Sequence, residues 1–226
     1  MTRPGRRLRA EQAGFTLIEL LVACTIGTIV MLASFALLDS SVVLTGKVTE
    51  RVDRTQRGRL AMELIARELR SQVCVQGGQP AIADGQSFSI TFYAFMGSGA
   101  FVPDKHQIYS DSATNSLVEN TWKGTGTAPN TTFPASPTTT STVLTDATPP
   151  AGGAPMFAYY AANAAQPFAV PLSAADAANT SKVTIGFLTY ASGRNATGSA
   201  TTLQNEVFSR SSDPNGLFGS TAPMCA

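Results

Sequence analysis

Between Phe15 and Leu38 the chain runs for about 24 residues with a single charged side chain, Glu19. As an α-helix this segment measures roughly 36 Å, enough to cross the hydrocarbon core of a bilayer with some tilt. The segment is therefore expected to be a membrane-spanning helix. Glu19 is the anomaly within it, because a carboxylate at the centre of a membrane helix costs roughly 2.5 to 3.5 kcal/mol on insertion scales. Such a group needs a partner or a functional reason to be there.

Charge is distributed around this segment in a way that orients it. The whole chain carries a formal net charge of +1, but Arg3, Arg6, Arg7 and Arg9 stand against Glu11 alone in residues 1–14. Basic residues beside a span hold that flank in the cytoplasm, which sends the chain after Asp39 across the membrane. An ordinary secretory signal has a short apolar region followed by a small-residue cleavage site. Here the small residue, Gly14, precedes the apolar run, so cleavage beside it would keep the helix attached to the mature protein. The remainder of the chain is close to neutral and shows no nucleic-acid footprint.

Beyond Asp39 no proline occurs until Pro80, and Leu60–Leu69 is rich in helix formers. The helix is expected to continue to about Val73, with Gly27, Gly46 and Gly58 as weak points costing about 1 kcal/mol each, and a bend or local melting at Gly46. Met62, Ile65, Ala66, Leu69 and Val73 recur at helical spacing and define one apolar stripe for docking on a sheet. Leu60 and Leu64 fall near the opposite side. They are either singly exposed leucines or a contact for a neighbouring subunit's helix.

After Gly77-Gly78-Gln79-Pro80 the period changes from helical to alternating. Residues 87–95 place Phe88, Ile90 and Phe92 against Ser89, Thr91 and Tyr93, and residues 182–191 repeat the pattern with Val183, Ile185 and Phe187. Further strands are expected at Gln107–Ser110, Ser116–Trp122, Met156–Ala161 and Thr201–Arg210. Residues 124–155, rich in Thr, Ser, Pro, Gly and Ala, are expected to form a long surface loop. Strands that follow one long helix without helical segments between them favour an α+β fold, with the helix packed on an antiparallel sheet. The expected division is a basic leader at 1–14, the spanning half of the helix at 15–38, its amphipathic half at 39–75, and an extracytoplasmic sheet domain at 76–226.

No catalytic set is visible. His106, the single histidine, lies between strand segments without a nucleophile or metal-ligand pattern around it and reads as a surface residue. No C-x-x-C pair suggests zinc. Asp104 and Asp111, or Asp213 with Asn215, could supply calcium oxygens, but aspartate beside Pro, Asn or Gly is usually turn chemistry. Neither a metal nor another cofactor is expected, and neither is enzymatic activity. Asn130, Asn179 and Asn195 lie in N-x-[ST] sequons, a pattern that Ser/Thr-rich chains produce often by chance.

Of the three cysteines, Cys24 lies inside the apolar run, whereas Cys74 and Cys225 lie in the exported part, where disulfides persist. A Cys74 to Cys225 bridge is expected, worth about 4 to 5 kcal/mol by the chain-entropy estimate. The alternative is two free thiols.

Gly14 followed by Phe15-Thr16-Leu17-Ile18-Glu19-Leu20, between a basic leader and a spanning helix, resembles the class III signal of type IV prepilins and pseudopilins. The resemblance implies a type IV pilin-like fold, cleavage between Gly14 and Phe15 by a prepilin peptidase, N-methylation of the new Phe15 amine, and a role for Glu19 in assembly. In a staggered filament that amine can approach Glu19 of another subunit, and pairing in apolar surroundings satisfies both charges. More weakly, Arg59–Arg70 with Ser89-Ile90-Thr91-Phe92, together with Gln107–Tyr109, Leu117–Trp122, Phe157–Tyr160 and Val207–Arg210, is similar to W-type minor pilins and J-type minor pseudopilins. The implied partners are the peptidase, sibling subunits, an inner-membrane assembly platform and, before assembly, membrane lipid. Nucleic acid joins them only in a DNA-uptake system. The implied location is the inner membrane, single-pass with the N-terminus in the cytoplasm, and then a surface pilus or pseudopilus serving adhesion, motility, secretion or DNA uptake. The alternative is a surface binding module that the helix displays, with Trp122, Tyr159 and Tyr160 as a candidate aromatic patch.

The bridge is checked by intact mass. The mature chain should gain two hydrogens on reduction, and an unchanged mass would mean free thiols.

Overall fold

The structure, a computed structural model, describes residues 16–75, 79–96, 102–126, 130–190 and 200–209. The chain divides into two compact units, Met1–Thr49 and Glu50–Ala226. Helix α1 spans Leu17–Arg70, so the proline-free stretch is helical through Gly27, Gly46 and Gly58. Gly46 introduces no break. In the first unit the hydroxyls of Thr25, Thr28, Ser34 and Ser41 each bond back to a carbonyl of the same helix at 2.8 Å. Such bonds satisfy polar side chains without outside partners, which is what an apolar environment demands.

In the second unit the helix ends three residues earlier than expected. The Ser71 Oγ donates to the Glu68 carbonyl at 2.7 Å and thereby takes up one of the last helical acceptors. Gln72 then forms a β-bridge with Ala94, and the Val73 amide donates to the Tyr93 carbonyl at 3.0 Å. Val73 therefore leaves the helical stripe and runs beside a strand. The buried face of α1 here comprises Arg54, Gly58, Ala61, Met62, Ile65, Ala66, Glu68 and Leu69. Gly58 is a close-approach position: a Cβ there would collide with Leu203 Cδ1 and lie 3.0 Å from Thr189 Cγ2. What reads in the sequence as a weak point is where the helix meets strands.

Two antiparallel sheets form rather than one. The first is a five-stranded meander of β1 (Ile82–Gly85), β2 (Ser89–Ala94), β3 (Asp104–Asp111), β4 (Ser116–Trp122) and β5 (Thr139–Leu144), hydrogen-bonded in that order. The second is built on β8 (Lys182–Thr189), with β6 (Ala147–Thr148) and β7 (Phe157–Tyr160) paired to it and β9 (Thr201–Phe208) also paired to it. A short helix α2, Ala174–Asn179, is capped by Ser173, whose Oγ accepts from the Asp176 amide at 3.1 Å.

Residues 124–155, expected as a long surface loop, contain strand residues. Thr139-Thr140-Ser141-Thr142-Val143-Leu144 pairs with β4, and Ala147 and Thr148 pair with β8. Threonine is a good strand former despite its polarity, because its branched Cβ suits a pleated surface. Its exposed hydroxyls also suit an edge, and only the end of β5 enters the core, through Leu144.

In the first sheet, directly paired residues share a face. Ile90, Ile108 and Glu119 stand in one row, and Phe92, His106 and Thr121 in the next. Ile90, Phe92 and Ile108 of these rows join the Ile65 and Leu69 face of α1, Met156, and Phe157, Tyr159, Ile185 and Phe187 of the second sheet in a core whose largest side chains are almost wholly buried. The Tyr159 hydroxyl donates to the Gln86 and Ser89 carbonyls at 3.1 and 3.2 Å and so ties the two sheets at one turn.

Ile65 is fully buried at the centre of this packing. Ile65→Ala should destabilise the domain by about 2 to 5 kcal/mol, read as a lowered urea midpoint of the full chain in detergent. A loss below about 1 kcal/mol, the cost of a minor volume change, would contradict the packing.

Candidate functional site

Two sites follow from these elements, one on each unit. At the start of α1, Thr16 and Glu19 set the first turn: the Glu19 amide donates to the Thr16 carbonyl at 3.1 Å and to its Oγ1 at 3.3 Å. A carboxylate in a first turn faces the positive end of the helix dipole, worth about 0.3 to 1 kcal/mol. That is well short of the cost of holding it in an apolar span. Among the described residues the Glu19 carboxylate has no hydrogen-bond or ion-pair partner. Around it Leu17, Ile18, Leu20, Leu21 and Val22 are exposed, as are the larger apolar side chains onward to Leu38. α1 is long and apolar enough to cross a membrane. Gly14 and Phe15 lie outside the described residues.

The comparison with known families falls on this stretch. Residues 9–35 match the family model for the prokaryotic N-terminal methylation motif. The chain carries a prepilin-type N-terminus. That motif supports a type IV pilin- or pseudopilin-like protein, anchored in the membrane by its one described apolar helix, and suggests a structural subunit rather than an enzyme. No curated protein and no solved structure matches the chain significantly.

The second site was not expected. His106, read from the sequence as a surface residue, is only 5 % exposed and lies on the inner face of β3. Its Nδ1 sits 2.7 Å from Oε1 of Glu119, a diagonal neighbour on β4. Thr121 Oγ1 donates to the same carboxylate oxygen at 3.2 Å, and Phe92 stacks on the imidazole with ring centroids 5.6 Å apart. Glu68 of α1, 3 % exposed, completes the cluster. One ligand atom from each of Glu68, His106 and Glu119 lies within 4.8 Å of the other two. Two atoms in this group, Glu68 Oε2 and His106 Nε2, are buried without a hydrogen-bond partner. The sequence does hold a signal for it. His106 alternates with Ile108 along β3, and Glu68 falls three residues after Ile65 on the buried stripe.

The other candidates resolve into structural roles. Asp104 Oδ1 accepts from the Gly124 amide at 2.8 Å. Asp111 accepts from the Ala113 amide at 2.9 Å and the Thr114 hydroxyl at 2.7 Å in the β3–β4 turn, bonds that hold its carboxyl below the usual range. Asp213, Asn215 and Asn195 lie outside the described residues, whereas Asn130 and Asn179 are exposed. The three aromatics do not share a patch. Trp122 lies under Lys105 on the outer face of the first sheet, Tyr159 is in the core, and Tyr160 lies under Lys182. Leu60 is 66 % exposed. With Leu64, Val143 and Leu144 it lines an open cleft of about 390 Å³ between α1 and β5. Cys24 is a free, exposed thiol and Cys74 is disulfide-bonded. Cys225 lies outside the described residues.

The Glu68 carboxyl is pushed up to about 7, foremost by burial and then by the charge of Glu119, with His106 and Arg67 pulling the other way. The folded state therefore holds a proton that the unfolded chain releases nearer the ordinary value of 4.5. Between these values stability falls as pH rises, by about 3 kcal/mol at most, and the loss is complete above the folded value. With chelator present, Glu68→Gln should remove this slope, matching the wild type at acid pH and exceeding it at pH about 8. Parallel stability curves for the two proteins would contradict the burial of an ionisable Glu68.

Proposed function

We propose that the chain is a minor pilin or pseudopilin subunit of the W- or J-type, whose mechanism is assembly rather than turnover. The methylation motif at residues 9–35, placed on an apolar helix that its own fold leaves uncovered, carries this reading. A prepilin peptidase cuts between Gly14 and Phe15, and the new amine is methylated. The mature subunit waits in the inner membrane, with lipid covering Leu17–Leu38. Entry into a pilus or pseudopilus exchanges lipid for the helices of sibling subunits. Glu19 then meets the Phe15 amine of another subunit, and the charge that is costly in lipid fixes the register of the stack.

The assembly platform and the siblings are the partners in that exchange. The domain beyond Glu50 stands on the outer side of the membrane, where a Cys74 to Cys225 bridge is chemically at home. The resemblance of Arg59–Arg70 and of several strands supports the minor-subunit reading.

N-terminal sequencing of protein from cells with an active prepilin peptidase tests this. The mature chain should begin at N-methyl-Phe15. An intact Met1 start, or cleavage after the apolar run, would contradict it.

A further inference from the structure

Glu68, His106 and Glu119 come from a helix and two strands, far apart in sequence, and converge inside the domain. Burying two carboxylates together is unfavourable unless their charge is compensated. The surroundings compensate only partly. Thr121 and the imidazole reach Glu119, and the charge of Arg67 acts on Glu68. If the Nδ1–H donates to Glu119, the His106 Nε2 presents a lone pair, and Glu68 Oε2 presents another; both are buried and without a partner. In the observed geometry these two atoms make no hydrogen bond with each other, so a proton on either lacks an acceptor there. A cation needs none, because it takes up several lone pairs at once.

We propose that Glu68, His106 and Glu119 bind one divalent transition-metal ion, of the zinc class. The donor set of one imidazole nitrogen and two carboxylate oxygens decides the class. Imidazole suits zinc and its neighbours, whereas calcium requires six to eight oxygens and magnesium retains an octahedral water shell. Zinc ligands lie about 2.0 to 2.2 Å from the ion, hence roughly 3.3 Å from one another in a tetrahedron. Groups already within 4.8 Å reach that spacing by side-chain adjustment in which Glu119 exchanges its hydrogen bond to His106 Nδ1 for the ion, since a carboxylate held on Nδ1 does not also reach an ion on Nε2 of the same ring. The surroundings resemble those of built sites: Phe92 fixes the imidazole plane and Thr121 holds the Glu119 carboxylate, as outer partners do around metal ligands. A water completes the fourth position. The ion would clamp the C-terminal part of α1 to β3 and β4, a structural role independent of the assembly reading.

The chain contains a single histidine, so one pair of ring nitrogens reports on the site. The experiment uses the full chain without a histidine tag, labelled at the histidine nitrogens, in detergent micelles and freed of metal by chelator. ZnCl₂ is titrated while the ring-nitrogen NMR signals and the melting temperature are followed, with CaCl₂ and MgCl₂ in parallel. Equimolar zinc should shift the ring signals, raise the melting temperature and release protons, while calcium and magnesium should do none of these. Glu68→Gln and Glu119→Gln should each weaken zinc binding more than about a hundredfold, beyond the loss caused by removing an outer partner. Unchanged ring signals in excess zinc would overturn the proposal even if zinc bound elsewhere. So would undiminished affinity in Glu68→Gln, or a response to calcium or magnesium instead. The wild-type titration decides on its own should Glu119→Gln fail to fold.

Discussion

A carboxylate on an apolar helix has to be given a partner, and among the described residues Glu19 has none. Its hydroxyl neighbours illustrate the contrast: Thr25, Thr28 and Ser34 close their hydrogen bonds on carbonyls of the same helix. A glutamate one turn into the helix can draw modestly on the dipole, but its charge still faces surroundings made for leucine and isoleucine. The apolar surface raises the same question as the charge. Side chains from Leu17 to Leu38 lie open, and water is the one environment they exclude. Lipid covers them without satisfying Glu19, whereas a neighbouring helix that brings a cation does both.

The second unit obeys the opposite logic, since its requirements close internally. Ile65 and Leu69 sit under two sheets, and Tyr159 bonds across the turn where those sheets meet. Gly58 permits the helix to approach β8 and β9. Within that core the Glu68, His106 and Glu119 cluster gathers three buried titratable side chains, with two polar atoms left over. Glu19 in the first unit and this cluster in the second are the features on which the proposed subunit contact and the proposed cation site rest.

Local patterns were legible in the sequence, and patterns assembled by the fold were not. The alternation at Ile90 and Phe92 and at Val183, Ile185 and Phe187 marks β2 and β8, and β4 spans the expected Ser116–Trp122. The apolar stripe on α1 likewise marks the face that meets the core, because helical period and burial are coupled directly. β5 is not legible in composition because its threonines are polar while their backbone preference is for strand. The helix end at Arg70 depends on the Ser71 hydroxyl and the bridge to β2, a tertiary contact that helix propensity does not encode. The burial of His106 is hidden from the sequence for a related reason. Judged by its neighbours in sequence it lacks a constellation, and its partners Glu68 and Glu119 reach it only through the packing of α1 on β3 and β4.

The Glu19 carboxylate remains the residue on which the functional reading rests. It is tested most directly by Glu19→Ala in cells that assemble filaments, with separate measurement of the membrane-inserted pool and the filament-incorporated pool. The expected result is normal processing and insertion with incorporation lost, because the apolar helix still suits lipid while its register contact between subunits is gone. Incorporation at the wild-type level would contradict the pairing of Glu19 with a neighbouring subunit's N-terminal amine.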